Sequence, residues 1–131
     1  MATIASALPQ LPSIRHLDLS NNWVQVAGAE ALARGLCTLK NLEKLDISRN
    51  NIKTAGLAFT SAVLVQLSSV TQVCLSKNSI DANGGASVSA ILRQCPKIVL
   101  CDPLGAAHVA VGIAQAKQLE HIDLDCTELG A

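Results

Sequence analysis

Two groups of side chains in the sequence could carry chemistry, one as a thiol nucleophile with its base and one as a metal site. They are His121 with Asp123 and Cys126, and Cys95 with Cys101 and His108. Cys126 falls in the turn after the strand that carries the other two, so no nucleophile stands beside His121. The second group lacks the close ligand pairs of zinc sites, and no phosphate loop or dinucleotide glycine motif occurs. We therefore expect no catalytic residue, no cofactor and no metal, and we predict that the chain is not an enzyme.

The elements that position these side chains repeat along the sequence with a constant period, which is the distance from Leu17 to Leu45 and from Leu45 to Val73. Apolar residues and one asparagine recur with this period in three consecutive units, as in solenoid proteins. They are Leu17, Leu19 and Asn22, then Leu45, Ile47 and Asn50, then Val73, Leu75 and Asn78. Apolar residues at alternate positions predict a short strand with one face turned inward. Farther along each unit, as in Gly28, Leu32 and Leu36, a spacing of four predicts a helix packed behind that strand.

The asparagines fall in the turn between each strand and its helix. An asparagine side chain carries both donors and an acceptor, which suits it to satisfy the backbone groups of a buried bend. We therefore predict that Asn22, Asn50 and Asn78 stack as a ladder. The ladder should end there, because the fourth unit has no equivalent asparagine and the fifth has Thr127 instead.

This pattern resembles leucine-rich repeats of the ribonuclease-inhibitor-like class, in stretches such as "LDLSNNWVQVAGAEALARGL" and "LDISRNNIKTAGLAF". The resemblance implies an α/β solenoid, a short horseshoe with a parallel sheet on its concave face and helices on its convex face. It also implies protein recognition as the usual role of the family. We predict one domain over residues 1–131 with about four and a half repeats. Its units are 1–13 (partial), 14–41, 42–69, 70–97, 98–118 (shortened) and 119–131 (partial).

The fourth unit departs from the period, because it begins at Ile98 and the fifth unit already begins at Leu119. Pro103 falls at a strand position, where it cannot donate a ladder hydrogen bond. We predict a sheet that is pinched or interrupted around this proline. The remaining strands, four in parallel, should be centred near Leu17, Leu45, Val73 and Ile122. A decayed repeat and a kink shaped for a partner both explain the shortening.

Both ends of the repeat array are predicted to lack a polar capping unit. Ile4 and Leu8 would form the helix stripe of a unit without its strand, and no helix follows the fifth strand to cover Ile122, Leu124 and Leu129. Open strand edges beside exposed apolar side chains favour association. We expect another protein chain, or a second copy of this one, to cover these residues, unless the chain is a piece of a longer protein.

Outward strand positions and one aromatic residue supply further candidate contacts. Asp18, Asp46 and Asp123 fall in one column, with His121 on the same strand face as the last of them. The three carboxylates could present an acidic strip to a basic partner, or they could simply be solvated. Trp23 stands where the other units have polar residues, so it could anchor a partner or pack down on Val26 or the N-terminal helix.

The predicted helical side of the sheet is poor in charge, with no charged residue between Gly56 and Ser69. Small residues such as Ala58 and Ala62 would let another helix approach closely, or they could simply be exposed. Phe59 lies among them, and we predict that it belongs to the core.

Composition narrows the function further. Basic and acidic residues number ten each, so the formal net charge is zero, and Trp23 and Phe59 are the only aromatic residues. Nucleic-acid binders usually show a basic stripe and stacking aromatics, so this class is disfavoured. Five single cysteines indicate a reducing compartment, which is the cytoplasm unless the chain is imported into an organelle. No apolar run approaches the about 20 residues of a membrane span.

These observations together predict a non-catalytic protein-binding module. A scaffold or adaptor subunit of a larger assembly is the leading interpretation. A regulatory binder of a signalling protein, such as a small GTPase, is the alternative.

Overall fold

The computed structural model describes residues 2–94, 97–99 and 121–123, which form one sheet and the helices that cover it. The strands are β1 (His16–Asp18), β2 (Lys44–Asp46), β3 (Gln72–Cys74), β4 (Lys97–Val99) and β5 (His121–Asp123). The helices are α1 (Ala2–Ala7), α2 (Gln25–Leu36), α3 (Lys53–Leu64) and α4 (Gly85–Gln94), with short 3-10 helices at Leu8–Gln10 and Ala82–Gly84. None of these described helices has the length and apolar character that a membrane span requires.

The strands pair in chain order from β1 to β5, and every pairing is parallel. Leu17 lies opposite Leu45, which lies opposite Val73, as the constant repeat interval requires. Strand β5 joins the same sheet at Ile122. The parallel arrangement predicted for these four strands is therefore confirmed.

The expected interruption of the sheet between β3 and β5 is wrong for the backbone that the structure describes. Strand β4 stands between them, with Ile98 opposite Val73 on one side and Ile122 on the other. The intervals from Val73 to Ile98 and from Ile98 to Ile122 are both shorter than the repeat interval, so two repeats share the shortening. The strand therefore forms ahead of Pro103, which lies outside the described residues.

The core lies between the sheet and the helices. The apolar face of each strand points toward the helices, and the apolar stripe of each helix points toward the sheet. Inward strand residues such as Leu45 and Val73 pack with helix residues such as Leu32 and Leu64 in one buried cluster. Burying an aliphatic side chain of this size stabilises the fold by roughly 1.5 to 3 kcal/mol. Burial of these apolar side chains therefore contributes to holding the helices against the sheet.

The predicted asparagine ladder is present in the turns that follow β1, β2 and β3. Asn50 and Asn78 are both 0% exposed. The backbone N–H of Asn22 donates to Oδ1 of Asn50 at 2.8 Å, and the N–H of Asn50 donates to Oδ1 of Asn78 at 2.9 Å. The Nδ2 group of Asn50 in turn donates to the carbonyl of Leu19 in the preceding repeat at 2.8 Å. Because Nδ2 of Asn78 donates likewise to the carbonyl of Ile47, Asn50 and Asn78 each join their own turn to the turn before it.

The prediction that Phe59 belongs to the core is wrong, because this side chain is 41% exposed. Helix α3 turns Gly56, Leu57 and Leu64 inward, together with Thr60 and Ser61. These two hydroxyl groups are satisfied within the helix: the Thr60 hydroxyl contacts the carbonyls of Gly56 and Leu57, and that of Ser61 donates to Ala58. Two small hydroxyl residues therefore occupy the core-facing positions, and the aromatic ring lies outside.

At the N-terminal end, the expectation that Leu8 needs cover from another chain is also wrong. Leu8 is 2% exposed, because α1 and the turn after it pack on α2. Gly35 of α2 makes this approach possible: a β-carbon added there would stand 2.6 Å from the carbonyl oxygen of Ala5 and 2.9 Å from Cδ1 of Leu8. Ile4, in contrast, keeps an exposed side chain.

Candidate functional site

The outward face of the first three strands forms a shallow depression of about 240 Å³. The side chains that line it alternate with the buried residues of each strand, as the pleat requires. The polar ones are His16, Asp18, Lys44, Asp46, Gln72 and Cys74. This surface mixes both signs of charge, and its charged side chains are exposed or half-buried.

Asp18 and Asp46 are neighbours on this face, because their strands pair in register. Each carboxylate is held by the turn that follows its strand: Oδ1 of Asp18 accepts from the N–H of Ser20, and Oδ1 of Asp46 from that of Ser48, both at 2.9 Å. The Ser20 hydroxyl and then the Ser20 backbone N–H lower the pKa of Asp18 below its usual value. Asp18 therefore stays ionised into acid solution.

We expect the Ser20→Ala substitution to raise the pKa of Asp18 toward its ordinary value, because the hydroxyl is the larger of the two causes. The remaining N–H bond should keep the pKa below that of an unfolded aspartate. A depressed pKa stabilises the fold above the unfolded value, about 3.9, and this stabilisation disappears as the pH falls through the folded value. An NMR titration of side-chain carboxyl carbons measures the change directly.

Asp81 supplies the internal control for this titration. The Thr54 hydroxyl, followed by the Asn83 N–H, lowers the pKa of Asp81, and neither group contacts Ser20. Its titration should be the same in both proteins. An unchanged Asp18 curve in Ser20→Ala would show that the hydroxyl does not hold this carboxylate.

Asp123 shares the register position of Asp18 and Asp46, but Cys74 and Val99 stand between it and Asp46 in the column. Three strand spacings amount to about 14 Å, which exceeds the about 8 Å over which charges act in physiological salt. The predicted acidic strip is therefore a pair of neighbouring carboxylates, Asp18 and Asp46, and Asp123 is separated from this pair by two strands without a carboxylate in the column. Of the other candidates, His121 and Ile122 have a described backbone in β5, and Leu124 and Leu129 lie outside the described residues.

Trp23 lies in the turn after β1, and its side chain is 73% exposed. The alternative in which it packs down on Val26 or α1 is therefore wrong. The N–H groups on either side of it are fixed to one acceptor, since Asn22 and Val24 both donate to Oδ1 of Asn50, at 2.8 and 3.3 Å. Its own backbone has a φ of 51°, in the left-handed region that few large residues adopt. The fold thus holds a large aromatic side chain in water on a rigid turn.

Trp23 does not stand alone, because the equivalent turns of the next two repeats bring cations and amides beside it. We call the surface made of Asn21, Trp23, Arg49, Asn51 and Lys77 the turn ridge; its side chains line a second depression of about 390 Å³. The sequence alone did not single out Arg49 or Lys77 as contact residues. The signal that could have found the ridge is the period, since Asn21, Arg49 and Lys77 occupy one column.

Cysteines and metal-binding side chains were also candidates for chemistry in the sequence. Within the described segments, no group of three His, Cys, Asp or Glu residues could hold a metal ion. Cys37 is an exposed free thiol, and Cys74 is a half-buried free thiol on the sheet face. Cys95, Cys101, His108 and Cys126, which the sequence made the other candidates, lie outside the described residues.

Comparison with known proteins agrees with this architecture. Residues 12–59 match the family model of leucine-rich repeats in two copies. No curated protein sequence matches the chain. Among solved structures, the actin-binding site 2 of leiomodin-1 is similar, with a TM-score of 0.79 and 12% identity over 95% of this chain and 78% of that one.

The tropomodulin C-terminal domain of Caenorhabditis elegans is also similar, with a TM-score of 0.70 and 12% identity over 94% of this chain and 81% of that one. At such identity these likenesses concern the fold alone. The family match over residues 12–59, the parallel sheet and the two similar structures together support a leucine-rich-repeat fold.

Proposed function

We propose that this chain is a non-catalytic protein-binding module whose contact surface is the turn ridge together with the adjoining sheet face. The single observation that carries the proposal is Trp23, a 73% exposed indole on a turn whose backbone is fixed by Asn50. Tryptophan is enriched among the residues that dominate binding energy at protein interfaces. A rigid anchor also loses little conformational entropy when a partner binds, so more of its burial energy appears as affinity.

The fold supports the same proposal. Leiomodin-1 carries an actin-binding site in its similar structure, so a domain of this architecture can bind a protein. We propose that the repeats form a short horseshoe-shaped solenoid of the ribonuclease-inhibitor-like class, one domain over residues 1–131 with the unit boundaries given above, with the sheet on its concave side. We also propose an intracellular, cytoplasmic location, which is supported by the free thiols of Cys37 and Cys74.

Within protein binding, a scaffold or adaptor subunit is our first proposal. It is supported by the exposed apolar side chains of Ile4 and Leu11 near the N-terminal end of the array. An extended array of contact surfaces suits a subunit that joins several chains. The partner-binding roles of Asp18, Asp46, Asp123, His121, Ile122, Leu124 and Leu129 remain part of this proposal.

A regulatory binder of a signalling protein, such as a small GTPase, is the second candidate. The burial of Leu8 against Gly35 favours it, because this end of the array is covered by its own α1 and needs no partner for stability. Sedimentation velocity distinguishes the two. A scaffold subunit should self-associate or aggregate when purified alone, whereas a regulator should sediment as a monomer.

The Trp23→Asn substitution tests the proposed contact surface. Asparagine occupies the equivalent turn position in the next repeat, at Asn51 with a φ of 52°, so the backbone accepts it. We expect recovery of native partners in affinity purification with mass spectrometry to fall at least about tenfold, the effect of losing about 1.4 kcal/mol. The fold itself should keep its stability, because a mostly exposed side chain contributes little to the core.

Phe59→Ala is the matched control, since it removes the other exposed aromatic ring from the helical side of the protein. Its partner recovery should equal that of the wild type. Loss of partners in Phe59→Ala with full recovery in Trp23→Asn would move the contact surface to the helices and overturn the proposal.

A further inference from the structure

The backbone places the two cations of the turn ridge side by side. Arg49 and Lys77 occupy the same position of successive repeats, and the Arg49 N–H donates to the carbonyl of Ser76, next to Lys77, at 2.8 Å. Asn21 makes the same bond to Ser48 one repeat earlier, at 2.9 Å. Adjacent strands lie about 4.8 Å apart, so the side chains of this column start from points separated by one strand spacing. The ridge is therefore a row with a fixed pitch.

The positive charge of this row is not compensated in the part of the chain that the structure describes. The ion pairs there join Arg15 and His16 to Glu43, and Arg34 to Glu30. Neither Arg49 nor Lys77 takes part in them. Asp18 and Asp46 form the acidic column of the neighbouring sheet face. Their carboxylates accept hydrogen bonds from the backbone of the turns that follow their own strands. The ridge thus offers two cations to any carboxylate that approaches from solvent.

The remaining ridge side chains add two other kinds of contact. Trp23 provides an apolar surface at the end of the row, and Asn21 and Asn51 flank it with amide groups that can donate and accept hydrogen bonds. An extended peptide needs these three kinds of contact: cations for its acidic side chains, amides for its backbone, and an apolar face for one anchor residue. The depression of about 390 Å³ is open enough to admit such a segment.

We propose that the turn ridge binds an acidic segment of a partner protein, with two carboxylates on Arg49 and Lys77 and one apolar side chain on Trp23. This inference rests on the proposed function and adds the chemistry of the partner. A peptide is favoured over a nucleic acid because the formal net charge of the chain is zero. A nucleic acid also carries a phosphate at every nucleotide, so the acidic pair Asp18 and Asp46 would repel it where it left the ridge, whereas a peptide needs carboxylates only at the two cations.

The probe is a fluorescein-labelled peptide with four glutamates around one central leucine, titrated into the full 131-residue chain. Binding is measured by fluorescence anisotropy, and an NMR titration follows the Trp23 indole N–H and the amides of Arg49 and Lys77. We expect these resonances to move and the affinity to fall several-fold when salt is raised from about 50 to about 300 mM, because screening shortens the reach of the charges. A peptide with glutamines in place of the glutamates should bind at least about tenfold more weakly.

The variant that tests the cations is Arg49→Glu combined with Lys77→Glu, and we expect it to weaken peptide binding at least about tenfold. Arg34→Glu combined with Lys40→Glu is the matched control, because it changes the net charge equally at exposed positions away from the ridge. Its binding should equal that of the wild type. Arg49→Gln combined with Lys77→Gln gives a milder change and should be intermediate. Circular dichroism checks that each variant is folded.

Three outcomes would overturn the inference. The peptide could fail to bind, it could bind the charge-reversed ridge as well as the wild type, or an eight-nucleotide oligouridine could bind the ridge more tightly than the peptide. The first two leave the proposed function intact if Trp23→Asn still loses its native partners. Unchanged partner recovery in Trp23→Asn contradicts the proposed function itself, so the two failures are distinguishable.

Discussion

Replacing Asn50 with alanine is expected to lower the free energy of unfolding by about 1 to 3 kcal/mol. The fully buried side chain serves five backbone groups: it accepts from the N–H groups of Asn22 and Val24, and its Nδ2 group contacts the carbonyls of Leu19, Ile47 and Ser48. Alanine would leave the N–H groups of Asn22 and Val24 without their acceptor, and that of Val24 is buried. The three carbonyls would keep other donors, namely the Nδ2 groups of Asn22 and Asn78 and the N–H of Asn21. Each buried polar group that loses its partner costs about 1 to 3 kcal/mol, and a domain is stabilised by only about 5 to 15 kcal/mol in total. Urea denaturation followed by circular dichroism measures the loss.

Asn22→Ala is the matched control, because the two asparagines hold the same place in successive repeats. The Asn22 residue is exposed, and its Nδ2 group contacts only the carbonyls of Leu19 and Ser20, both at 3.0 Å. Its loss should cost less than about 1 kcal/mol, since water can replace a partner at the surface. Equal losses in the two variants would show that the ladder derives its strength from something other than burial.

Gly35→Ala should destabilise the protein by about 2 kcal/mol, although the same change in an exposed helix stabilises it by up to about 1 kcal/mol. The new β-carbon would stand 2.6 Å from the backbone oxygen of Ala5, too close for any contact between these atoms. Helix α1 must then move away from α2, which uncovers Leu8 and forgoes about 1.5 to 3 kcal/mol of its burial. Urea denaturation gives the loss, and hydrogen exchange should show faster exchange in α1.

Ala27→Gly, at an exposed position of the same helix, provides the reference for helix propensity. It should cost about 1 kcal/mol through backbone entropy alone. If Gly35→Ala instead stabilised the protein by that amount, α1 would not depend on the close approach at Gly35.

The period of the sequence was sufficient to predict the first three strands and the ladder. Residues such as Leu45 and Asn50 recur at a fixed spacing because each makes the same bond or contact in every repeat. Strand β4 was missed for the same reason: it follows β3 sooner than the period allows. Pairing with both neighbours fixes this strand, and such pairing is a property of the assembled sheet rather than of the local sequence.

The side-chain errors have local causes. Thr60 and Ser61 are polar residues, which are usually exposed, yet both are buried here. Their hydroxyl groups are hydrogen-bonded to backbone carbonyls within α3. Phe59 is apolar and was predicted to lie in the core, yet it lies on the exposed side of the same helix. Hydropathy alone cannot distinguish these residues, because it does not show that a hydroxyl group is hydrogen-bonded to the backbone of its own helix and can therefore be buried.

The candidate site was predictable only in part. Trp23 could be singled out, because it replaces polar residues found at the same place in other repeats. Its exposure could not, since a tryptophan in a turn can pack inward or outward with equal ease. Arg49 and Lys77 lie beside Trp23 only in the folded protein, where the turns of neighbouring repeats are adjacent.

The bonds of the asparagine ladder join positions that are 28 residues apart. A gene that duplicated a segment of that length would supply every new asparagine with the partner it needs, and the inserted copy would begin with its hydrogen bonds already specified. A lineage could therefore lengthen the array in whole units without redesigning the turns. Copies of unequal length, like the spacing around β4, would arise afterwards by small deletions that preserved the pairing of the strands.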